Sequence, residues 1–236
     1  MSTTVQRVMV WPVVLRLCHL VFALGVPVLL VTGGLLGSGM ILNDALYQHL
    51  LTQWHLPAGH LVGLALAVRL GVLVASEGVG GYRALWPRGQ SLQAMLAFYS
   101  ALGRQPLPAY HAHNPFWGPL YLLFFGLLTL VLVTGLMLEF ASLRGLFGVA
   151  SDPLLRWHLG SSGFFLAFAI GHVIASVLHD LRGRGADVSA MINGERCFEV
   201  ERPATPPAQG ATPSVSLDSL GRWEPSASKP PERRDR

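Results

Sequence analysis

Four histidines constrain the chemistry of this chain most strongly. His19, His60, His158 and His172 lie within or at the edges of long apolar segments. An imidazole inside a lipid bilayer loses its water and therefore needs a compensating role. Three roles are available: a ligand to a metal or metal cofactor, a member of a proton relay, or a hydrogen bond to a neighbouring helix.

The spacing of two of these histidines indicates more than one site. His158 and His172 are fourteen residues apart in the last apolar segment. On an α-helix this separation places them on one face, about 21 Å apart along the axis. A bundle of this length has room for two sites, one in each half of a membrane.

Four apolar segments are long enough to carry the histidines across a bilayer. Hydrophobic residues make up 51% of the 236 residues and charged residues 13%, whereas soluble domains are roughly 25% charged. A spanning helix needs about 20 apolar residues. The composition therefore predicts an all-α membrane protein, a bundle of four transmembrane helices at 13–36, 56–76, 116–138 and 157–179.

The distribution of arginine predicts the orientation of the bundle. Arginines precede the first segment, occupy the loop between the second and third, and follow the fourth. The loop at 37–55 has no Lys or Arg, and the loop at 139–156 balances its arginines with acidic residues. Positive residues accumulate on the cytoplasmic side, so both termini are predicted to be cytoplasmic. The net charge of +4 then gives no reason to expect a nucleic-acid partner.

Depth in the membrane pairs the four histidines. His19 lies near the inner end of the first segment, at the depth of His172. His60 lies near the outer end of the second segment, at the depth of His158. We therefore expect an inner pair and an outer pair.

Two other histidines are alternatives. His179 follows His172 by seven residues on the same helix face and competes with it for the inner site. His55 competes with His60 for the outer site, but it precedes Pro57 and is expected in the loop before the helix.

Paired imidazoles in an apolar bundle suit a b-type haem. Two histidines per iron leave no open position, which favours electron transfer over oxygen binding. Zinc usually requires further ligands, and only Cys18 adjoins either pair. The sequence thus predicts two haems, with a haem-free histidine relay in a transporter or proton channel as the rival.

The rest of the chain divides simply. The membrane domain is predicted at 10–198, with a short helix at 91–102 in its long inner loop. The Pro-rich tail at 199–236 is predicted to be disordered.

The two halves of the membrane domain contain similar short sequences. The first segment ends in "PVLLVTGGLLG" and the third in "LVLVTGLMLEF", and "HLVG" in the second resembles "HLGSSG" in the fourth. These words indicate either a duplicated two-helix unit or chance similarity between apolar segments.

Several short motifs together resemble one known family. They are "RLCH" at 16–19, "HLVG" followed by Arg69, "HNPFWG" at 113–118, "RWHLG" and "GHVIASVLHDL" in the fourth segment, and "SAMINGE" at 189–195. Over residues 10–197 the chain resembles the bacterial cytochrome b561 / nickel-iron hydrogenase cytochrome b family. The resemblance implies haem ligands on the first, second and fourth helices, which by motif are His19, His60, His158 and His172.

The resemblance also implies a function in the respiratory chain of a bacterial inner membrane. Such proteins pass electrons between the quinone pool and a periplasmic dehydrogenase, a hydrogenase or a c-type cytochrome. An electron-transfer subunit is then expected rather than a stand-alone enzyme. The alternative within the family is a self-sufficient quinone-linked oxidoreductase, for example one that oxidises superoxide.

Two further residues are candidates for the site. Asn114 resembles the position beside the quinone in related formate dehydrogenase subunits, although an Asn-Pro turn that opens a helix explains it equally well. Arg69 lies in the inner third of the second segment. Its charge is expected either to bind a haem propionate or to reach the lipid phosphates.

Overall fold

The fold is a bundle of helices with two short strands. The computed structural model describes residues 3–182 and 187–201. Its elements are β1 (Thr3–Met9), α1 (Val13–Gly37), α2 (Asp44–His49), a π-helical turn (Leu50–His55), α3 (Leu56–Ala75), α4 (Tyr82–Leu85), α5 (Gly89–Ser100), α6 (Trp117–Glu139), α7 (Ala141–Phe147), α8 (Ser151–Arg182), α9 (Asp187–Asn193) and β2 (Glu195–Glu201). Most of the predicted tail, from residue 202 onward, lies outside the described residues.

Four helical runs are long and apolar enough to cross a membrane, as predicted. They are α1, the continuous run Asp44–Ala75, α6 and α8. Many apolar side chains on these helices face outward, among them Leu24 and Val74, as lipid solvation allows. The short helix predicted at 91–102 is present as α5.

The second run begins twelve residues before its predicted start at 56. Asn43 caps it, because its side chain accepts a hydrogen bond from the Leu46 amide at 3.0 Å. Pro57 was expected to mark the helix start, but the π-helical turn carries the helix past it, with the Leu56 amide bonded to the Leu51 carbonyl five residues back. His55 is therefore helical, and the prediction that it lies in the loop was wrong.

The helices pack as two pairs that share a core. The helix α1 packs on α3, and α6 packs on α8, while α3 and α6 also meet. Gly25 permits the first contact, because a Cβ there would lie 2.5 Å from a methyl carbon of Val62. The shared core contains Val62, Leu66, Phe125 and Phe165, contributed by α3, α6 and α8.

The four membrane-spanning runs alternate in direction along the chain. The bundle therefore has two distinct ends. We call one end the base (residues 5–16, 76–116, 179–182 and 187–198) and the other the top (residues 38–55 and 139–158). The strands β1 and β2 pair at the base. By the arginine distribution, the base corresponds to the predicted cytoplasmic side.

Arginines at the base bind backbone carbonyls. Arg16 donates to the Ile192 carbonyl, and Arg182 donates to the Gly103 carbonyl. Arg196 donates to two carbonyls in the loop before α6. The last carbonyls of helices and loops need such partners. Arg16 thus connects α1 to α9, Arg182 connects α8 to the loop after α5, and Arg196 connects β2 to the loop before α6.

Gly118 sets the approach of the base loop to α6 and yields a first prediction. A Cβ at this position would lie 2.1 Å from the Leu85 carbonyl oxygen. We expect Gly118→Ala to destabilise the protein by about 1–3 kcal/mol, since a backbone atom must move. Thermal unfolding in detergent measures the change.

Gly126 provides the matched control on the same helix, because a Cβ there meets nothing within 4 Å. Gly126→Ala should leave the unfolding midpoint within a degree or two of the parent protein or raise it slightly. Equal midpoints for the two variants would contradict the close approach at Gly118.

Candidate functional site

The base half of the bundle holds a pair of histidines. His19 on α1 faces His172 on α8, with ring centroids 6.2 Å apart and ring planes at 61°. Depth and helical spacing predicted this juxtaposition. His179, the alternative to His172, lies about two helical turns further toward the base. It has other partners.

Aromatic rings surround His172. Phe168 stacks on it at 5.9 Å with planes only 6° apart. Trp117 and Tyr121 meet the imidazole edge-on at 5.6 and 5.9 Å. The pair of His19 and His172 therefore lies in an apolar, aromatic environment, which suits a large flat cofactor.

The top half holds a second pair, and its members differ from those expected. His158 faces His55 with ring centroids 6.2 Å apart and planes at 70°. His60 instead places Nε2 3.0 Å from Glu139 Oε2, and its side chain is half exposed. The expected juxtaposition of His60 with His158 is thus not formed. His55 lies inside the helical run, and His60, five residues later, points about 140° away from it.

The hydrogen bonds of His55 fix its protonation. Its Nδ1 lies 2.9 Å from Thr32 Oγ1. The single hydroxyl proton of Thr32 is directed to the Val28 carbonyl at 2.7 Å. Nδ1 therefore carries the ring proton and donates it to Thr32, which leaves the lone pair of Nε2 available.

The same assignment holds for His158. Its Nδ1 lies 3.0 Å from the Val131 carbonyl and 3.1 Å from Thr134 Oγ1. A carbonyl only accepts, so Nδ1–H is the donor. Metal-bound histidines commonly donate their second nitrogen to an oxygen in this way.

The spacing of both pairs fits a metal held between the rings. A metal ion about 2.0 Å from each ligating nitrogen lies about 3.1 Å from each ring centroid, which puts the centroids just over 6 Å apart. Both observed separations are 6.2 Å. Within residues 3–182 and 187–201, no group of three or more His, Cys, Asp or Glu residues is placed to hold an ion. Each pair could therefore offer two imidazole nitrogens to a metal, and the remaining ligands would have to come from a cofactor such as a tetrapyrrole.

Arg69 is buried in the half of the bundle nearest the base and does not reach lipid. Its side chain is 6% exposed. It donates to the Gly80 carbonyl at 2.9 Å, and its guanidinium lies 5.0 Å from the centre of the Phe125 ring. The loop carbonyl and the aromatic face compensate the burial of its charge.

Asn114 opens α6, as the turn interpretation predicted. Its Oδ1 accepts hydrogen bonds from the amides of Phe116 and Trp117 at 2.9 and 3.4 Å. Its Nδ2 lies 3.3 Å from Tyr99 Oη and 3.4 Å from His179 Nε2. Asn114 therefore both caps a helix and points its amide into a polar cluster.

This basal cluster consists of Tyr99, Tyr110, Asn114, Trp117 and His179. The Tyr99 hydroxyl lies 2.7 Å from His179 Nε2 and accepts from Trp117 Nε1 at 2.9 Å. His179 Nδ1 lies 3.4 Å from the Tyr110 hydroxyl. Sequence reasoning missed both tyrosines and the role of Trp117. The signal available in the sequence was His179, which lies at the base end of α8 on the same helix face as His172.

His113 belongs to the loop at the base. Its Nε2–H donates to the Val79 carbonyl at 2.8 Å, and its ring meets Trp11 edge-on at 4.9 Å. Burial lowers the pKa of His113 to about 4. The ring is therefore neutral at pH 7 and holds the loop as a hydrogen-bond donor.

Comparison with known sequences identifies the family. The sequence model of the prokaryotic cytochrome b561 family matches residues 10–194. The chain belongs to this family. The cytochrome is also similar to two proteins named "Probable Ni/Fe-hydrogenase B-type cytochrome subunit". It is 26% identical to the one from Cupriavidus necator, over 83% of this chain and 89% of the relative.

The second of these relatives is from Bradyrhizobium diazoefficiens. It is 28% identical over 81% of this chain and 86% of the relative. No solved structure matches the cytochrome significantly. Family and names together make the chain a multi-pass membrane b-type cytochrome that acts in electron transfer and binds haem b.

His113 yields a prediction on pH. The folded cytochrome disfavours a protonated ring, whereas the unfolded chain protonates it near the ordinary pKa of 6.5. The contribution of His113 to stability is therefore complete above pH 6.5 and is lost as the pH falls toward 4. We expect His113→Gln to show a smaller drop in unfolding midpoint across this interval than the parent protein. The exposed His49, replaced in the same way, is the control, and an unchanged pH profile for His113→Gln would contradict the assignment.

Proposed function

We propose that this cytochrome carries two b haems and moves electrons between the quinone pool and a redox partner. The observation that carries the proposal is the pair of matched imidazole separations, 6.2 Å at the base and 6.2 Å at the top. We assign His19 and His172 as ligands at the base, and His55 and His158 as ligands at the top. His60, the ligand expected from the sequence, is replaced by His55 in this assignment.

Each histidine pair would hold its haem by two imidazoles, which suits electron transfer rather than substrate binding at the iron. The haem supplies one-electron redox chemistry when bound. The part of the chain is to orient these imidazoles inside the bundle. His158 and His172 stand on the same helix about 21 Å apart along its axis, which supports one site in each half of the membrane.

The basal cluster supports a quinone site next to the base haem. Trp117 touches both the His172 ring, at 5.6 Å, and Tyr99 Oη, at 2.9 Å. Reduction or oxidation of a quinone moves protons as well as electrons, and its oxygens need hydrogen-bonding partners. Asn114, Tyr99 and His179 provide such partners. Trp117 connects them to the His172 ring.

The top of the bundle is the side we assign to the redox partner. The arginine distribution supports a periplasmic position for the top in a bacterial inner membrane. The helix α7 there exposes Leu146 and Phe147. The names of the relatives support a hydrogenase as the partner, and another dehydrogenase or a c-type cytochrome has the same electron-transfer role.

Haem counting in single variants tests the ligand assignment. Purified protein should contain two haems per chain. His55→Ala and His158→Ala should each lose the top haem, and His19→Ala and His172→Ala the base haem, because each removes an axial ligand. The pyridine haemochrome spectrum and the protein concentration give the ratio.

His60→Ala and His179→Ala are the matched controls, since each removes a histidine of the same helix that is not assigned as a ligand. Both should retain two haems. Loss of a haem in His60→Ala with full retention in His55→Ala would contradict the top site, and a protein without haem would refute the proposed function in favour of a histidine relay.

Quinol oxidation tests the base site. Tyr99→Phe removes one hydroxyl of the basal cluster and keeps the ring. We expect the rate of haem reduction by a soluble quinol analogue to fall about tenfold, with the haem spectrum unchanged. Tyr82→Phe, which alters an exposed tyrosine in the same loop region, is the control. An unchanged rate in Tyr99→Phe would remove the cluster from the reaction.

A further inference from the structure

We propose that the repeated motif Val-Thr-Gly, at 31–33 and 133–135, forms two equivalent seats. These seats position the histidine pair of the top half, His55 and His158. The proposal rests on the proposed function insofar as His55 and His158 hold a haem. Each seat consists of one threonine hydroxyl and the glycine that follows it. The first seat lies on α1 and the second on α6.

The threonines make the same contacts in both seats. Thr32 Oγ1 lies 2.9 Å from His55 Nδ1, and Thr134 Oγ1 lies 3.1 Å from His158 Nδ1. Each hydroxyl also bonds the carbonyl four residues earlier, at 2.7 and 2.9 Å. Both threonines are buried, at 6% and 5% exposure. Each hydroxyl proton is therefore directed to carbonyls of its own helix, with Thr134 also 2.9 Å from the Val131 carbonyl, and each hydroxyl oxygen is left to accept from the imidazole.

The glycines give each ring its space. A Cβ at Gly33 would lie 3.1 Å from His55 Cε1, and a Cβ at Gly135 would lie 3.1 Å from His158 Cε1. The two values agree because each ring lies against the helix backbone at the same place. A methyl group at either glycine would displace the ring from its position by a few tenths of an ångström.

The sequence around the histidines repeats as well. His55 lies in the word Trp-His-Leu at 54–56, and His158 lies in the same word at 157–159. Each word follows its own Val-Thr-Gly after one loop and stands on the helix packed against that seat. The resemblance between the two halves noted in the sequence therefore corresponds to one structural unit built twice. His55, rather than His60, is the counterpart of His158.

The histidine pair in the base half, His19 and His172, has no such seats. Among the described residues, neither the His19 ring nor the His172 ring has a hydrogen-bonding partner, and aromatic rings pack around His172 instead. A hydrogen bond from Nδ1 makes a ligating imidazole more electron-donating. The seats thus lower the reduction potential of the top site relative to an unseated pair.

The two seats differ in one respect that sharpens the test. His158 Nδ1 also bonds the Val131 carbonyl, which a side-chain change leaves in place. His55 Nδ1 has Thr32 as its side-chain partner. Loss of the threonine hydroxyl should therefore matter more at Thr32 than at Thr134.

Redox titration and electron paramagnetic resonance (EPR) of the full-length cytochrome test the seats. Thr32→Val keeps the shape and removes the hydroxyl. We expect two haems, with the reduction equilibrium of one shifted three- to tenfold toward the reduced form and a changed low-spin EPR signal for that haem. Thr134→Val should shift the same haem less, and Thr32→Ser, which restores the hydroxyl, should match the parent protein.

Thr129→Val is the matched control on α6, because the Thr129 hydroxyl bonds only the Phe125 carbonyl at 2.8 Å among the described residues. It should leave both potentials unchanged. Gly33→Ala, which displaces the His55 ring slightly, should lower the top haem content or shift its potential, whereas Gly34→Ala, where a Cβ meets nothing within 4 Å, should match the parent protein.

The outcomes separate this proposal from the function on which it rests. Two haems with potentials and EPR signals unchanged in Thr32→Val and Thr134→Val would overturn the seats and leave the dihaem assignment intact. An equal shift in Thr129→Val would also overturn them. Absence of haem from the parent protein would refute the proposed function and the seats together.

Discussion

A neutral imidazole inside a membrane bundle has two nitrogens to satisfy, and the top of this cytochrome is organised around that requirement. At His55 and His158, Nδ1 donates to oxygens of a neighbouring helix, which leaves Nε2 as a lone-pair donor. The rings then face one another at the separation that a shared metal needs. Desolvation, which makes an isolated histidine costly, is compensated on one side by the protein and, in the assignment we propose, would be compensated on the other by the cofactor.

The rest of the bundle maintains these positions. Each seat helix packs directly on the helix that carries its histidine, so that the hydrogen bond and the helix contact support one another. At the base, arginines bind loop carbonyls, and the basal cluster holds the start of α6 beside His172. Polar groups are thus concentrated at the ends of the helices and at the histidines, as a lipid environment requires.

Local patterns predicted the four membrane helices and the meeting of His19 with His172, because hydropathy and helical spacing determine both. They failed at His55, where Pro57 suggested a helix start. A π-helical turn has no hydropathy signature, yet it carries the helix across this point. The repeated Trp-His-Leu word was the overlooked signal for His55. Tyr99 and Tyr110 depend on the path of a long loop, so that only tertiary structure brings them to His179.

The most direct measurement of the central claim is a haem count with an EPR spectrum of the oxidised parent cytochrome. We expect two haems per chain, both low-spin, because each proposed site would hold its haem by two histidines. A single haem, or a high-spin signal from a site with one open position, would contradict this assignment.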